Sequence, residues 1–343
     1  MPNFPLFLRT PMKILIITAI YPTPENPAFG SFVRSQEQFL RRSGIDVDVL
    51  VLKGRSRKLI YPKGIFQLRR RLEGVSLVHA HYAYVGAVAK TQWKVPVVLT
   101  YHGDDALGTI NRRGKISRTS RIIAAGCRRL ARYCDATIVQ SGRMASRFRD
   151  ANVHIIPHEV DLDTFRPTPI IEARTQLGLS DPVKYVLFAA DPGIPVKRFE
   201  LARAAVALLR ARDPAVELIV VSREEQTRLA LYMSACDALV FPSYQEGSPN
   251  IIKQAMACNL PIVATDVGDV REVIGKTSGC FISEPDPESF AHLLGTITAS
   301  PFRTTGREDV KHLSGPLVAE RLIQVYEEVL RRQQSHSLLI QGI

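Results

Sequence analysis

Short apolar runs alternate with helix-length amphipathic stretches along nearly the whole chain. Runs rich in Val, Ile and Leu read as strands buried on both faces at Lys13–Thr18, Asp46–Leu52, Leu77–Ala80, Val97–Tyr101, Ala136–Gln140 and His154–Ile156. Between them a 3.6-residue period predicts helices over Ser31–Arg42 and Thr119–Arg132. The pattern stops at Pro157–Pro169, where prolines and acidic residues indicate a linker. It restarts with strands at Tyr185–Ala189, Glu217–Val221, Ala238–Phe241 and Pro261–Ala264. Helices are expected at Phe199–Arg212 and Arg228–Cys236, and a further one opens at Ser248-Pro249. The last helix, Pro316–Arg332, is amphipathic through Leu317, Leu322, Val325 and Val329. Such alternation predicts an α/β protein with two doubly wound, Rossmann-like parallel-sheet domains, residues 1–166 and 167–315, facing across a cleft.

Composition narrows this picture. The 343 residues suffice for two cores, and no apolar run reaches the roughly 18 residues of a membrane helix. The opening MPNFPLFLRTP lacks the charged lead and small-residue cleavage site of a secretory leader. Residues 1–11 therefore read as a loose extension or a misplaced start. Five cysteines, at 127, 134, 236, 258 and 280, follow no metal-binding spacing and read as small buried hydrophobes in a reduced cytoplasmic protein. The net charge of +12 is unevenly spread: residues 1–165 hold 26 Lys/Arg against 12 Asp/Glu, and residues 166–343 hold 19 against 21. Two segments, Lys53–Arg71 and Arg112–Arg132, concentrate the excess. They carry no nucleic-acid motif and few aromatics, so an anionic membrane surface or anionic acceptor is the expected partner, not nucleic acid. A plain solvated basic face is the alternative.

Residues Phe241–Asp269, FPSYQEGSPNIIKQAMACNLPIVATDVGD, carry the densest chemistry. They predict strand, loop, helix, turn and strand, with Ser248 as the helix N-cap and Pro249 at the first helical position. A helix mouth at the carboxyl end of a parallel strand is where α/β folds place ligands, and its free N–H groups suit a phosphate. Glu246 stands just before that mouth, and Asn250 and Gln254 share one helical face. Ile251, Ile252, Ala255 and Cys258 would cover the core side. An ordinary βα unit, with Glu246 merely favouring the helix dipole, would give the same local pattern. The Asp-x-Asp pairs Asp46/Asp48 and Asp161/Asp163 fall in a strand and in the linker, away from this mouth, so no metal site is expected.

EGSPNIIKQAMACNLPIVATDVGD, the preceding SACDALVFPS and the following VREVIGK resemble the retaining glycosyltransferases of family 4, whose fold is GT-B. IPHEVDLDTFRP at the linker and MKILIIT with FGSFVRSQ at the front extend the likeness from about Met12 to Arg332. It is nearest to bacterial cell-envelope polysaccharide members of teichuronic-acid type. The resemblance implies transfer of a sugar from a UDP- or GDP-sugar to a hydroxyl on a lipid-linked or other glycan acceptor, with no metal and no tightly bound cofactor. It implies catalytic roles for three residues: His102 in TYHGDD beside the transferred sugar, Lys197 in VKRF against the departing diphosphate, and Glu246 on donor-sugar hydroxyls. Gly30 would let a first-domain loop approach the diphosphate, and Gly247, Ser248, Pro249 and Asn250 would shape the donor cradle. Segment 316–343 is expected to pack back toward the first domain.

Three positions depart from the family. Gln254 stands where a second Glu holds the ribose; an amide accepts a hydroxyl proton, but more weakly than a carboxylate. Ala190, Asp191 and Pro192 stand where an arginine precedes the clamping lysine, leaving Arg198 as its stand-in for donor binding. His158-Glu159 replaces an Asn-Gly pair. These departures motivate a second reading, a non-catalytic GT-B subunit that binds a glycan or a partner transferase. A nucleotide-sugar 2-epimerase shares the same two-domain plan and is told apart by epimerisation of donor without acceptor. The expected setting is the cytoplasm, with the basic first half against the inner face of the membrane.

Overall fold

The computed structural model describes residues 12–54, 57–111, 114–149 and 151–341. The expected extension of residues 1–11 lies outside them, as do Arg55, Arg112 and Arg113 of the two basic segments.

The first domain is a six-stranded parallel sheet: β1 (Lys13–Thr18), β2 (Asp46–Val51), β3 (Leu77–His81), β4 (Val97–Thr100), β5 (Ala136–Val139) and β6 (Val153–Ile155). Its order is β2-β1-β3-β4-β5-β6. Parallel strands need crossovers. Helices α1 (Ser31–Arg42), α2 (Arg57–Arg69), α3 (Ala83–Ala89), α4 (Asp104–Leu107), α5 (Arg118–Leu130) and α6 (Gly142–Ala145) lie in them. Strand β1 shows why its run is apolar throughout: Leu15 and Ile17 pack on the layer holding Leu68 and Val85, Ile14 and Ile16 on the layer holding Val33 and Leu40.

The second domain repeats the plan with β7 (Lys184–Ala189), β8 (Val216–Val221), β9 (Ala238–Phe241), β10 (Ile262–Ala264) and β11 (Cys280–Ile282), in the order β11-β10-β9-β7-β8. Around them lie α7 (Ile170–Leu177), α8 (Phe199–Arg210), α9 (Gln226–Ala235), α10 (Asn250–Ala257), α11 (Val270–Ile274), α12 (Pro287–Ala299) and α13 (Gly306–Asp309). The sequence pattern did not announce β11, whose three half-buried residues at the sheet edge are too short to show a period. It also passed over α12, although the start is written locally: Asp286 accepts from the Ser289 N–H at 2.8 Å, and Pro287 stands at the first helical position.

The chain crosses between domains twice, side by side. Val160 N–H donates to the Leu313 carbonyl (2.9 Å), and Gly315 N–H to the Val160 carbonyl (3.2 Å). Pro157–Pro169, expected as a linker, is a packed crossing: Phe165 is buried in the second core, and Arg307 donates to the Phe165 and Leu162 carbonyls. Helix α14 (Gly315–Gln341) then lies on the first domain beside α1, burying Val318, Leu322, Val325, Tyr326 and Val329.

Candidate functional site

The loops that follow β4 and β5 meet those that follow β7, β9 and β10. Arg143, after β5, pairs with Asp266, after β10, at 2.7 Å, and the Gln245 amide donates to the Gly108 carbonyl at 2.8 Å. Deeper in, a Cβ on Gly247 would stand 3.0 Å from the Met144 sulfur and 3.1 Å from the His102 carbonyl oxygen. Only a residue without a side chain lets the two domains come this close.

Three charges converge beside that contact. Lys197 ends a single 3₁₀ turn (Pro195–Lys197) after β7, and its ammonium lies 2.6 Å from Glu246 Oε1. Asp104, at the start of α4, faces them from the other domain. Its carboxyl is pushed up by burial and then by Glu246, while Lys197 pulls it down. Lys197 and Glu246 were expected together; Asp104 was not, since a lone acid opening a helix ordinarily reads as a dipole contact.

His102 sits at the centre of a histidine chain. Its Nε2 is 3.0 Å from His81 Nδ1, its Nδ1 is 3.3 Å from His158 Nε2, and its ring stacks on His158 with 7° between planes. Burial, and then the neighbouring histidines, hold His102 well below the ordinary imidazole value, so the ring is neutral at neutral pH. A neutral imidazole has one N–H and one lone pair, so His102 donates to one neighbour and accepts from the other. Asp105 braces the loop from below, accepting from His102 N–H (3.0 Å) and Ala83 N–H (2.9 Å); burial pushes its carboxyl up to about 6. Tyr82, whose ring is 4.4 Å from that of His102, has φ 72, a strained value for a bulky residue. His158, noted in the sequence only as a departure, is thus a direct neighbour of His102.

The helix mouth differs from the expected one. Helix α10 begins at Asn250 and Pro249 occupies the N-cap, with no side-chain cap, so Ser248 is not the N-cap. The Ser248 hydroxyl instead points inward, donating to Asp269 Oδ2 (2.5 Å) and accepting from the Lys253 ammonium. Lys253 is fully buried, 3.7 Å from Asp269. Burial pushes its ammonium down, while Asp269 and Glu159 pull it up. On the core side Ile252, Ala255 and Cys258 are buried as expected, whereas Ile251 is half-buried.

Three cavities open around these groups. One of 210 Å³ lies between the domains, lined by Ser31 and Arg34 on one side and by Gln226, Asn250 and Gln254 on the other. The Asn250 Oδ1 atom is buried and has no hydrogen-bond partner in the protein, and the Gln254 amide donates to Gln226 at 3.0 Å. Gly30 opens α1 with φ 71; a Cβ there would stand 2.7 Å from the Ile20 carbonyl carbon. Gln226 also lines an adjoining 290 Å³ cavity with Phe29, Asp191 and Arg223. Arg223 reaches Asp191 at 2.9 Å and so brings a guanidinium to the region where the family arginine is missing. Arg198 is turned elsewhere, 4.2 Å over the Tyr244 ring and donating to the Pro285 carbonyl. The third cavity, of 390 Å³, is lined by Tyr82, Tyr84, Asp104, Thr109, Ser120 and Ile123 of the first domain. Among the described residues no group of three His, Cys, Asp or Glu side chains could hold a metal ion, and no helix is long and apolar enough to cross a membrane.

Comparison with known proteins gives a consistent pattern. Residues 20–164 match the Glycosyltransferase Family 4 model, and residues 224–299 match Glycosyl transferases group 1. The chain is 26% identical over 300 residues to the D-inositol 3-phosphate glycosyltransferase of Segniliparus rotundus, covering 75% of this chain and 67% of the relative. It is 25% identical over 352 residues to the putative teichuronic acid biosynthesis glycosyltransferase TuaC of Bacillus subtilis, covering 82% and 88%. Among solved structures, the sucrose-phosphate synthase of Thermosynechococcus elongatus superposes with a TM-score of 0.77 at 21% identity, over 94% of this chain and 100% of that one. Anabaena HepE in complex with UDP and glucose gives 0.64 at 17% identity, over 94% and 100%. The fold is GT-B.

Proposed function

From the premise that this chain is a glycosyltransferase of the family 4 type, we propose that it moves a sugar, with retention of configuration, from a nucleotide-diphosphate sugar to an acceptor hydroxyl. The carrying observation is the Lys197–Glu246 pair set against His102 and Asp104 where the strand ends of both domains meet. The diphosphate lies at the mouth of α10, where backbone N–H groups and Lys197 stabilise the charge that develops as the sugar leaves. Glu246 accepts hydrogen bonds from sugar hydroxyls, and neutral His102 positions the reacting carbon through its backbone and ring. Asn250, Gln254 and Gln226 face the ribose side, and Arg223 takes the place of the absent arginine. The acceptor enters through the 390 Å³ cavity, whose lining is rich in hydroxyl and aromatic groups and includes Asp104; no Lys or Arg is among the described residues that line it. That lining favours an uncharged sugar hydroxyl over a phosphorylated acceptor. The likeness to TuaC supports a role in cell-envelope polysaccharide synthesis.

The test pairs a thermal-shift panel of UDP and GDP with transfer assays on several nucleotide sugars and a membrane extract. Lys197→Ala and Glu246→Ala are expected to lose on the order of 10²–10³ in kcat while remaining folded. Unchanged turnover in either variant removes the site assignment. Gln254 in place of a carboxylate keeps a non-catalytic subunit as the second reading, and it gains if neither nucleotide binds.

A further inference from the structure

The outer layer of the first domain carries an exposed surface that lies outside the proposed donor site. Helices α2, α3 and α5 share one core, with Tyr61 of α2 6.1 Å from Tyr84 of α3 and Leu130 of α5 packed into the same cluster. The solvent side of this layer exposes Leu59, Phe66, Tyr84, Ile122 and Ile123, and Trp93 just beyond α3 is 84% exposed. Single exposed apolar residues are ordinary, but a concentration of them on adjoining helices marks an interaction surface. The same helices and the residues just after α2 and α3 also carry Lys63, Arg69, Arg70, Lys94, Arg118 and Arg121, all exposed. No Asp or Glu occurs in α2, α3 or α5.

Charge selects the occupant. Cations interleaved with apolar side chains, and no acids, match a bilayer interface in which headgroups are anionic and the acyl boundary takes the apolar groups. A second copy would bring two basic faces together, which like-charge repulsion opposes. Position adds a further argument, because Tyr84 and Ile123 belong both to this exposed set and to the lining of the 390 Å³ cavity.

We propose that the outer face of α2, α3 and α5, with Trp93, seats on an anionic bilayer and turns the 390 Å³ cavity toward it, so that a lipid-borne acceptor sugar enters from the membrane surface. The acceptor clause rests on the sugar-transfer reading; the docking does not. The experiment sediments the full-length protein with vesicles of phosphatidylcholine, alone or mixed with phosphatidylglycerol, at low and high salt. The protein is expected to pellet with the anionic vesicles, to be released by salt, and to ignore the neutral ones. Arg118→Glu with Arg121→Glu should weaken binding about fivefold or more per residue. Trp93→Ser with Ile122→Ser should weaken it with no change of charge. Both double variants should keep the parent's nucleotide thermal shift, which separates lost docking from lost fold or donor site.

The proposal fails if the protein stays in the supernatant with anionic vesicles, or if both variants pellet like the parent. It fails equally if gel filtration shows a dimer that Trp93→Ser with Ile122→Ser dissolves. Vesicle binding with transfer to soluble acceptors but to no lipid-borne one would overturn the acceptor clause, and vesicle binding with no sugar transfer at all would uphold the docking and remove the sugar-transfer reading instead.

Discussion

Lys253 has no solvent exposure, yet it holds the turn in front of α10 through Ser248 and Asp269. A buried ion pair costs most when one partner is removed, because the other is left charged and unpaired. Lys253→Met is therefore expected to lower unfolding free energy by about 3–5 kcal/mol in a denaturant titration. Adding Asp269→Asn should restore part of that loss, and strict additivity of the two substitutions would show that the pair is not coupled. Residue positions were unevenly legible. Glu246 and Lys197 could be expected near one another because their motifs fix them relative to strand ends. The burial of Lys253 could not be expected, since a lysine on a helix ordinarily faces water and only the carboxylates at 159 and 269, far apart in sequence, make it tolerable. His158 and Asp104 were hidden for the same reason, as their partners arrive from other strands or the other domain.

Helix α1 starts where it does because Gly30 adopts a left-handed conformation that leaves no room for a Cβ against the Ile20 backbone. Gly30→Ala meets backbone that cannot swing aside, and adds the cost of φ 71 for a residue with a Cβ. The expected outcome is a loss of about 2 kcal/mol of stability and a weaker thermal shift with nucleotide, because Ser31 and Arg34 on the first turns line the 210 Å³ cavity. A parent-like nucleotide response would detach this loop from the donor site. At this scale the sequence spoke clearly wherever an element was long and buried, as β1 and α8 were. It was silent on β11, and for α10 it placed the boundary one residue early, because Ser-Pro is a common opening whose serine was already committed to Asp269.

Across the whole molecule, a row of histidines, His79 and His81 buried and His102 and His158 half-buried, links parts that are distant in sequence. His79 Nδ1 is 2.7 Å from the Tyr326 hydroxyl of α14, its ring lies 4.5 Å from that of His81, and His81 leads through His102 to His158 at the interdomain crossing. Burial holds all four below the ordinary value, His81 at about 3. The unfolded chain takes up protons on these rings below about pH 6.5 and the folded chain does not, so stability falls as pH drops through that value. Asp105, raised to about 6, binds its proton more readily when folded and offsets part of the loss below that pH. Calorimetry is expected to show a melting temperature that declines from about pH 7.5 to about pH 5.5, and a smaller decline for His158→Asn. An identical decline in both would mean that His158 does not contribute.

The path of α14 was legible only in part. The family resemblance implied its return toward the first domain and the apolar stripe its buried face, but Leu317, counted into that stripe, is 42% exposed. Its return has a consequence for synthesis. Val318 through Val329 complete a core whose other half is built from Met12 onward, so that core stays open until Val329 has left the ribosome. The second domain is threaded through the first as an insertion, and a polypeptide emerging from its amino end can close that inserted part while the earlier one still waits. The domain translated first is the domain completed last.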